Sequence, residues 1–230
     1  MPSINMIMLQ TVAQGLGELK NDVAFVGGAV AELYASDPAA SEIRPTKDID
    51  CVIELSSRME HSRLEENLRN KKFAHDTTKG APICRWIYKG IKVDVMPTDE
   101  EILGFNNKWY HEGILNRIEK VLPNGTIIFV FSPEYYLAAK FEAHKDRGGK
   151  DLRQSHDFED IIYLLDSCSE ILGIIGKAKS PVKIFLRTEC QQLLENDGLI
   201  EGIECALPYN SGSDRSELIM QLIREISELT

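Results

Sequence analysis

A chain of 230 residues with 43% apolar side chains can bury one large core or two small ones. Its formal charge of −10 opposes a general nucleic-acid coat or an anionic membrane surface as partner, because the whole-molecule field repels both, although a local basic groove stays compatible with it. The longest apolar runs, such as Ile127 to Phe131, fall far short of the roughly 20 residues a membrane span needs. The N-terminal "MPSINMIMLQ" has no basic leader and no small-residue cleavage pattern, so the expectation is a cytoplasmic protein with no membrane partner. Cys51, Cys84, Cys168, Cys190 and Cys205 are odd in number, widely spaced and without a CxxC pair, which argues against a disulfide framework and against a zinc site.

In chain order, Ile4, Ile7, Met8, Val12 and Leu16 fall at helical spacing and predict a helix over 4–19 with those residues on its apolar face. "DVAFVGG" reads as a short buried strand, Val23 to Val26, stopped by Gly27 and Gly28, after which "AVAELY" has helical propensity. A loop by composition, "SDPAASEIRP", leads to a second strand, "IDCVIEL", and then to a charged helix, "RMEHSRLEENLRNKK". Two hairpins follow. "ICRWIYKGIKVDVMP" turns at Lys89-Gly90 and "RIEKVLPNGTIIFVF" turns at Pro123-Asn124-Gly125. From Ser132 only helices are expected: "SPEYYLAAKFEAHK" with Pro at its first position, "SHDFEDIIYLLDSC" behind a Ser cap, and runs near Pro181 to Asn196 and Arg215 to Leu229. The expected fold class is α/β (α+β): a mixed sheet with flanking helices over 1–131, then a helical domain over 132–230.

The second strand carries the first candidate site. Side chains two apart on a strand share a face, so Asp48 and Asp50 stand together while Ile49 and Cys51 point the other way. Adjacent carboxylates repel unless a cation compensates, and a hard divalent ion such as Mg²⁺ is the simplest one; a hydrated strand end is the alternative. Asp94, alone between Val93 and Val95, needs a partner of its own, since an unpaired buried charge is costly. Were its strand to lie beside the Asp48 strand, three carboxylates would converge at one sheet edge, the arrangement that two-metal phosphoryl or nucleotidyl transfer requires. Gly27-Gly28 ends a strand and opens a helix, so its backbone amides can approach phosphate without a Cβ in the way; a plain tight turn reads equally well.

"FVGGAVAELY", "TKDIDCVIE" and "KVDVMP", in that order, resemble the three signatures of the nucleotidyltransferase superfamily of the DNA polymerase β type. "YYLAAKFEAHKDRGG" followed by "SHDFEDIIYLL" resembles the C-terminal signature of the AbiEii/AbiGii-type toxin nucleotidyltransferases, so the likeness spans about Phe25 to Leu165. The loop from Gly28 to Asp48 is longer than in compact members of the superfamily. On this resemblance the family's lysine falls on Lys140 and its paired acids on Asp157 and Asp160, with Lys150-Asp151 as the alternative placement. The resemblance implies a nucleoside triphosphate as substrate, two Mg²⁺ ions on Asp48 and Asp50, Asp94 as shared ligand and proton acceptor, and Gly27, Gly28 and Lys140 at the phosphates. Thr46 and Lys47 are added as phosphate contacts by position. For Lys140, a cleft-facing position and a snorkelling surface lysine are both compatible with the sequence. Arg147, Lys150 and Arg153 fit a phosphate or RNA contact or a solvated link, and Trp109 and Tyr110 fit a base-stacking surface or aromatic core. His111, a lone histidine, is not counted as a metal ligand.

The resemblance further implies transfer to RNA, such as a tRNA end, by a toxin restrained by a cognate antitoxin. The alternatives are the same chemistry on a small molecule such as an antibiotic, or a non-catalytic nucleotide-sensing domain.

Overall fold

The computed structural model of the protein describes residues 2–36, 43–104, 107–147, 151–209, 211 and 213–230. These pack as two compact units. One comprises the described residues of Met1–Val30 and Arg44–Ser132, the other those of Ala31–Ile43 and Pro133–Thr230. The described residues from Ala31 group with the helices.

In the first unit, α1 (Ile4–Leu16) is followed by a 3₁₀ turn, β1 (Val23–Val26), β2 (Asp48–Ile53), α2 (Arg58–Asn70), β3 (Ala74–His75), β4 (Arg85–Tyr88), β5 (Ile91–Pro97), α3 (Glu100–Leu103), α4 (Tyr110–Leu115), β6 (Arg117–Val121) and β7 (Ile127–Phe131). The strands form one mixed sheet in the order β3-β4-β5-β2-β1-β7-β6. β1–β2, β3–β4, β4–β5 and β6–β7 pair antiparallel, whereas β2–β5 and β1–β7 pair parallel. Both expected hairpins form where their turn residues place them. Lys89 and Gly90 take φ of 47° and 81°, the left-handed pair that a two-residue turn needs, and Gly125 takes 80°.

Helix α1 corrects one expectation. Its buried stripe is Asn5, Met6, Leu9, Val12, Ala13 and Leu16, while Ile4 and Ile7 are 59% and 51% exposed. The helix is rotated from its apparent apolar face because Asn5 is needed inside: its Nδ2 donates to the Arg44 carbonyl at 3.1 Å and its Oδ1 accepts from the Thr46 amide at 2.9 Å. A buried amide with partners on both ends satisfies the chain leading into β2. The residues after Gly27 form a 3₁₀ helix, Gly28–Tyr34, in place of the expected α-helix.

The second unit contains α5 (Pro133–Asp146), α6 (His156–Ser167), α7 (Ile171–Lys177), α8 (Ser180–Leu194), α9 (Leu199–Ala206) and α10 (Ser213–Ser227). The cap expected at Ser155 is made, its hydroxyl accepting from the Phe158 amide at 3.2 Å. Helices α7 and α9, short and glycine-containing, were not legible from periodicity. No helix among the described residues is long and apolar enough to cross a membrane.

Gly113 on α4 gives a test of the packing. A Cβ there would lie 2.5 Å from the ring of Phe131, which is fully buried on β7. In an exposed helix Gly→Ala stabilises by about 1 kcal/mol; here overpacking outweighs that gain. Gly113→Ala is expected to destabilise by about 1–3 kcal/mol, read as a lower urea midpoint.

Candidate active site

The parallel register of β2 and β5 sets Asp50 directly opposite Asp94, Ile49 opposite Val93 and Cys51 opposite Val95. Opposed residues of a parallel pair share a face, so Asp48, Asp50 and Asp94 stand on one side of the sheet while Ile49 and Cys51 are fully buried on the other. The convergence expected from the sequence is present.

The residue missed is Arg85. It lies opposite Asp94 in the β4–β5 hairpin, on the same face. Its Nε and Nη2 donate to the two oxygens of Asp94, each at 2.7 Å, and Nη2 also reaches Asp48 Oδ2 at 3.1 Å. The Arg85 and Asp94 side chains are 17% and 11% exposed, so the fork-on-carboxylate pair is partly desolvated and charge-assisted. The hydrogen bonds to Asp94 raise the pKa of Arg85, which keeps it a fixed cation. The compensating charge that the sequence assigned to a metal is thus partly supplied by the protein. Lys92, exposed, stands opposite Asp48 in register.

Gly27 has a role at this site that phosphate binding does not need. Its φ is +73°, and a Cβ there would fall 1.9 Å from Asp50 Oδ2. The bare Cα lets Asp50 lie against the turn. Gly28, buried, begins the 3₁₀ helix. The hydroxyl of Thr46 donates within 3.1 Å of the Asp48 carbonyl and lies 3.3 Å from Asn5 Oδ1, which orients the entry to β2. Lys47 is exposed.

In the helical unit, Lys140 on α5 is buried at 9% exposure, so it does not snorkel. Its Nζ reaches Asp157 Oδ1 at 3.1 Å and pairs with Asp160, one turn along α6; Arg147 pairs with the other oxygen of Asp157. Asp160 is fully buried. Asp157 and Asp160 are therefore both joined to Lys140, a contact the sequence reading did not anticipate. Arg153 is engaged at the surface with Asp151 and Glu201, and Lys150 lies outside the described residues. Trp109, 8% exposed, belongs to the core, and the half-buried Tyr110 packs edge-on to Phe131 with its hydroxyl 3.5 Å from Met96 Sδ. His111, half exposed, faces Glu54.

Among the described residues no three His, Cys, Asp or Glu side chains form a ready metal cage. The donor chemistry nonetheless fits a hard cation: Mg²⁺ commonly takes one or two carboxylates and completes its shell with water and phosphate oxygens. Asp48 and Asp50, on one face with Asp48 one-third exposed, meet that requirement, whereas both oxygens of Asp94 are engaged by Arg85.

No protein-family model matches the chain, and no curated protein does. Among solved structures it is similar to the crystal structure of an antigenic nucleotidyltransferase-like protein from Paracoccidioides brasiliensis, with a TM-score of 0.55 and 21% identity, covering 87% of this chain and 92% of that one. The chain shares the fold of that protein. At that identity the likeness carries the fold and no further.

Two outcomes follow from these contacts. Lys140→Met leaves Asp160 buried without its counter-ion and is expected to cost about 3–5 kcal/mol in chemical denaturation, with much of the loss recovered in Lys140→Met/Asp160→Asn. Burial, aided by the Asp94 carboxylate, pushes the Cys84 thiol up to about 12, and Cys51, Cys168 and Cys190 are also buried. Iodoacetamide at pH 8 is expected to modify only Cys205 in the native protein and all five cysteines after unfolding, counted by mass spectrometry.

Proposed function

We propose that this chain is a Mg²⁺-dependent nucleotidyltransferase that moves a nucleoside monophosphate from a nucleoside triphosphate onto an acceptor hydroxyl. The observation that carries the proposal is the placing of Asp48, Asp50 and Asp94 on one face of adjacent strands, beside a glycine turn, in a chain of nucleotidyltransferase-like fold. The acceptor oxygen forms a bond to the α-phosphorus, the bond from that phosphorus to the oxygen bridging to the β-phosphate breaks, and pyrophosphate leaves. Asp48 and Asp50 would hold two divalent cations and Asp94 one of them; bound there, they would neutralise the phosphates and the leaving group.

Asp94 takes the proton of the attacking hydroxyl, a task that needs one of its oxygens released by Arg85. Gly27 and Gly28 offer backbone amides to the triphosphate, and Thr46 and Lys47 flank the acids. In the helical unit Lys140, oriented by Asp157 and Asp160, is assigned to phosphate. The proposed acceptor is RNA, a tRNA end, with the chain acting as an AbiEii-like toxin in the cytoplasm and held in check by an antitoxin. Support for that finer step is the likeness of "YYLAAKFEAHKDRGG" and "SHDFEDIIYLL" to the toxin signature. A small-molecule acceptor, such as an antibiotic, is favoured instead by the net charge of −10, which works against RNA.

The test is incubation with each labelled nucleoside triphosphate and Mg²⁺, together with total tRNA, an antibiotic panel or no acceptor. Label is expected on RNA; label on a small molecule selects the second reading, and nucleotide binding without transfer removes the enzyme. Asp48→Asn and Asp94→Asn are each expected to lower transfer by at least about a hundredfold, since they remove charge stabilisation worth several kcal/mol. Full transfer by either variant would exclude the assigned roles.

A further inference from the structure

We propose that Arg85 is a resident counter-cation that competes with the divalent metal for the aspartate cluster, so that the metal binds by displacing the guanidinium from Asp94 and Asp48. The inference deepens the proposed function and rests on the assignment of the cluster to metal.

The geometry leads there in three steps. Three carboxylates on one face repel, and the fold must supply positive charge before any ligand arrives. Arg85 supplies it from the neighbouring strand, using Nε and Nη2 on Asp94 and sharing Nη2 with Asp48. The same oxygens are then denied to a metal. An oxygen that accepts a short charge-assisted hydrogen bond cannot also point its lone pair at a cation placed where the guanidinium lies. Asp94 has both oxygens so engaged, although its register sets it directly opposite Asp50.

The competition is possible because Arg85 is a long side chain that reaches across from β4, one strand from the sheet edge, to acids on the central strands β2 and β5. Arg85 is also 17% exposed, so its long side chain has a route to solvent that does not disturb the backbone. Once displaced, it frees one Asp94 oxygen to take a proton or a ligand and frees Asp48 for the metal.

The experiment measures Mn²⁺ affinity by electron paramagnetic resonance of the free ion, with no nucleotide present, in wild type, Arg85→Met, Arg85→Lys and Arg85→Met/Asp48→Asn. Arg85→Met is expected to bind Mn²⁺ about tenfold or more tightly than wild type, the gain from removing a charge-assisted competitor. It is also expected to melt at lower temperature than wild type without metal, with much of that gap closed by saturating Mn²⁺. Arg85→Lys, which keeps the charge and loses the fork, should fall between the two and keeps the test open where Arg85→Met does not fold. Adding Asp48→Asn should abolish the gain, which places the ion on the cluster.

Unchanged or weaker Mn²⁺ binding in Arg85→Met and Arg85→Lys would overturn the inference, as would no detectable binding in any of the proteins. A gain in affinity in a protein that transfers no nucleotide would remove the proposed function and leave the counter-cation. Transfer by wild type with no gain in affinity would do the reverse.

Discussion

The sheet must place three aspartates on one face without letting them repel each other apart, and the Arg85 fork is the interaction that makes this tolerable. It joins β4 to β5 through Asp94 and reaches β2 through Asp48, so one guanidinium ties three strands at the point where like charge would otherwise loosen them. Register makes the constraint strict. A one-residue slip of β5 against β2 would turn Asp94 to the opposite face, among the fully buried Ile49 and Cys51 of β2, and bring Val93 and Val95 to the acid face. The uncompensated charge would then sit in apolar surroundings, which the chain cannot offset. The glycine turn serves the same end from the other side. Gly27 leaves open the space that Asp50 occupies, so any side chain there would push the carboxylate off the shared face.

Much of this was legible in the sequence because strand alternation and turn chemistry are local. Asp48 and Asp50 two apart, Val23 to Val26 stopped by Gly27, and the Lys89-Gly90 turn all follow from residues next to one another. Even Arg85 was within reach. Counting back from Lys89-Gly90 pairs Tyr88 with Ile91 and, three rungs further, Arg85 with Asp94, which is the pairing found. The contact of Arg85 with Asp48 was not readable in the same way, because it depends on β5 lying beside β2, a pairing of strands far apart in sequence. Helix α1 failed for a related reason. Its isoleucines marked an apolar stripe, but the requirement to satisfy the Arg44 carbonyl and the Thr46 amide turned Asn5 inward, and no periodicity contains that requirement.

The two acidic clusters deal with buried charge differently, and the difference bears on which of them can do chemistry. In the helical unit Asp160 is fully enclosed and Asp157 nearly so, each paired with Lys140 and one also with Arg147. Such a network fixes α5 against α6; opening it exposes an interior carboxylate and costs several kcal/mol. In the sheet unit the acids lie at a more open face, with Asp48 one-third exposed and the counter-ion, Arg85, 17% exposed. A group that must exchange partners during a reaction needs that second kind of environment, where the alternative to the resident ion pair is solvent or a ligand and not a vacant core. By that criterion the cluster of Asp48, Asp50 and Asp94 has an environment in which partners can be exchanged, whereas the enclosed Lys140 network serves to hold α5 and α6 together.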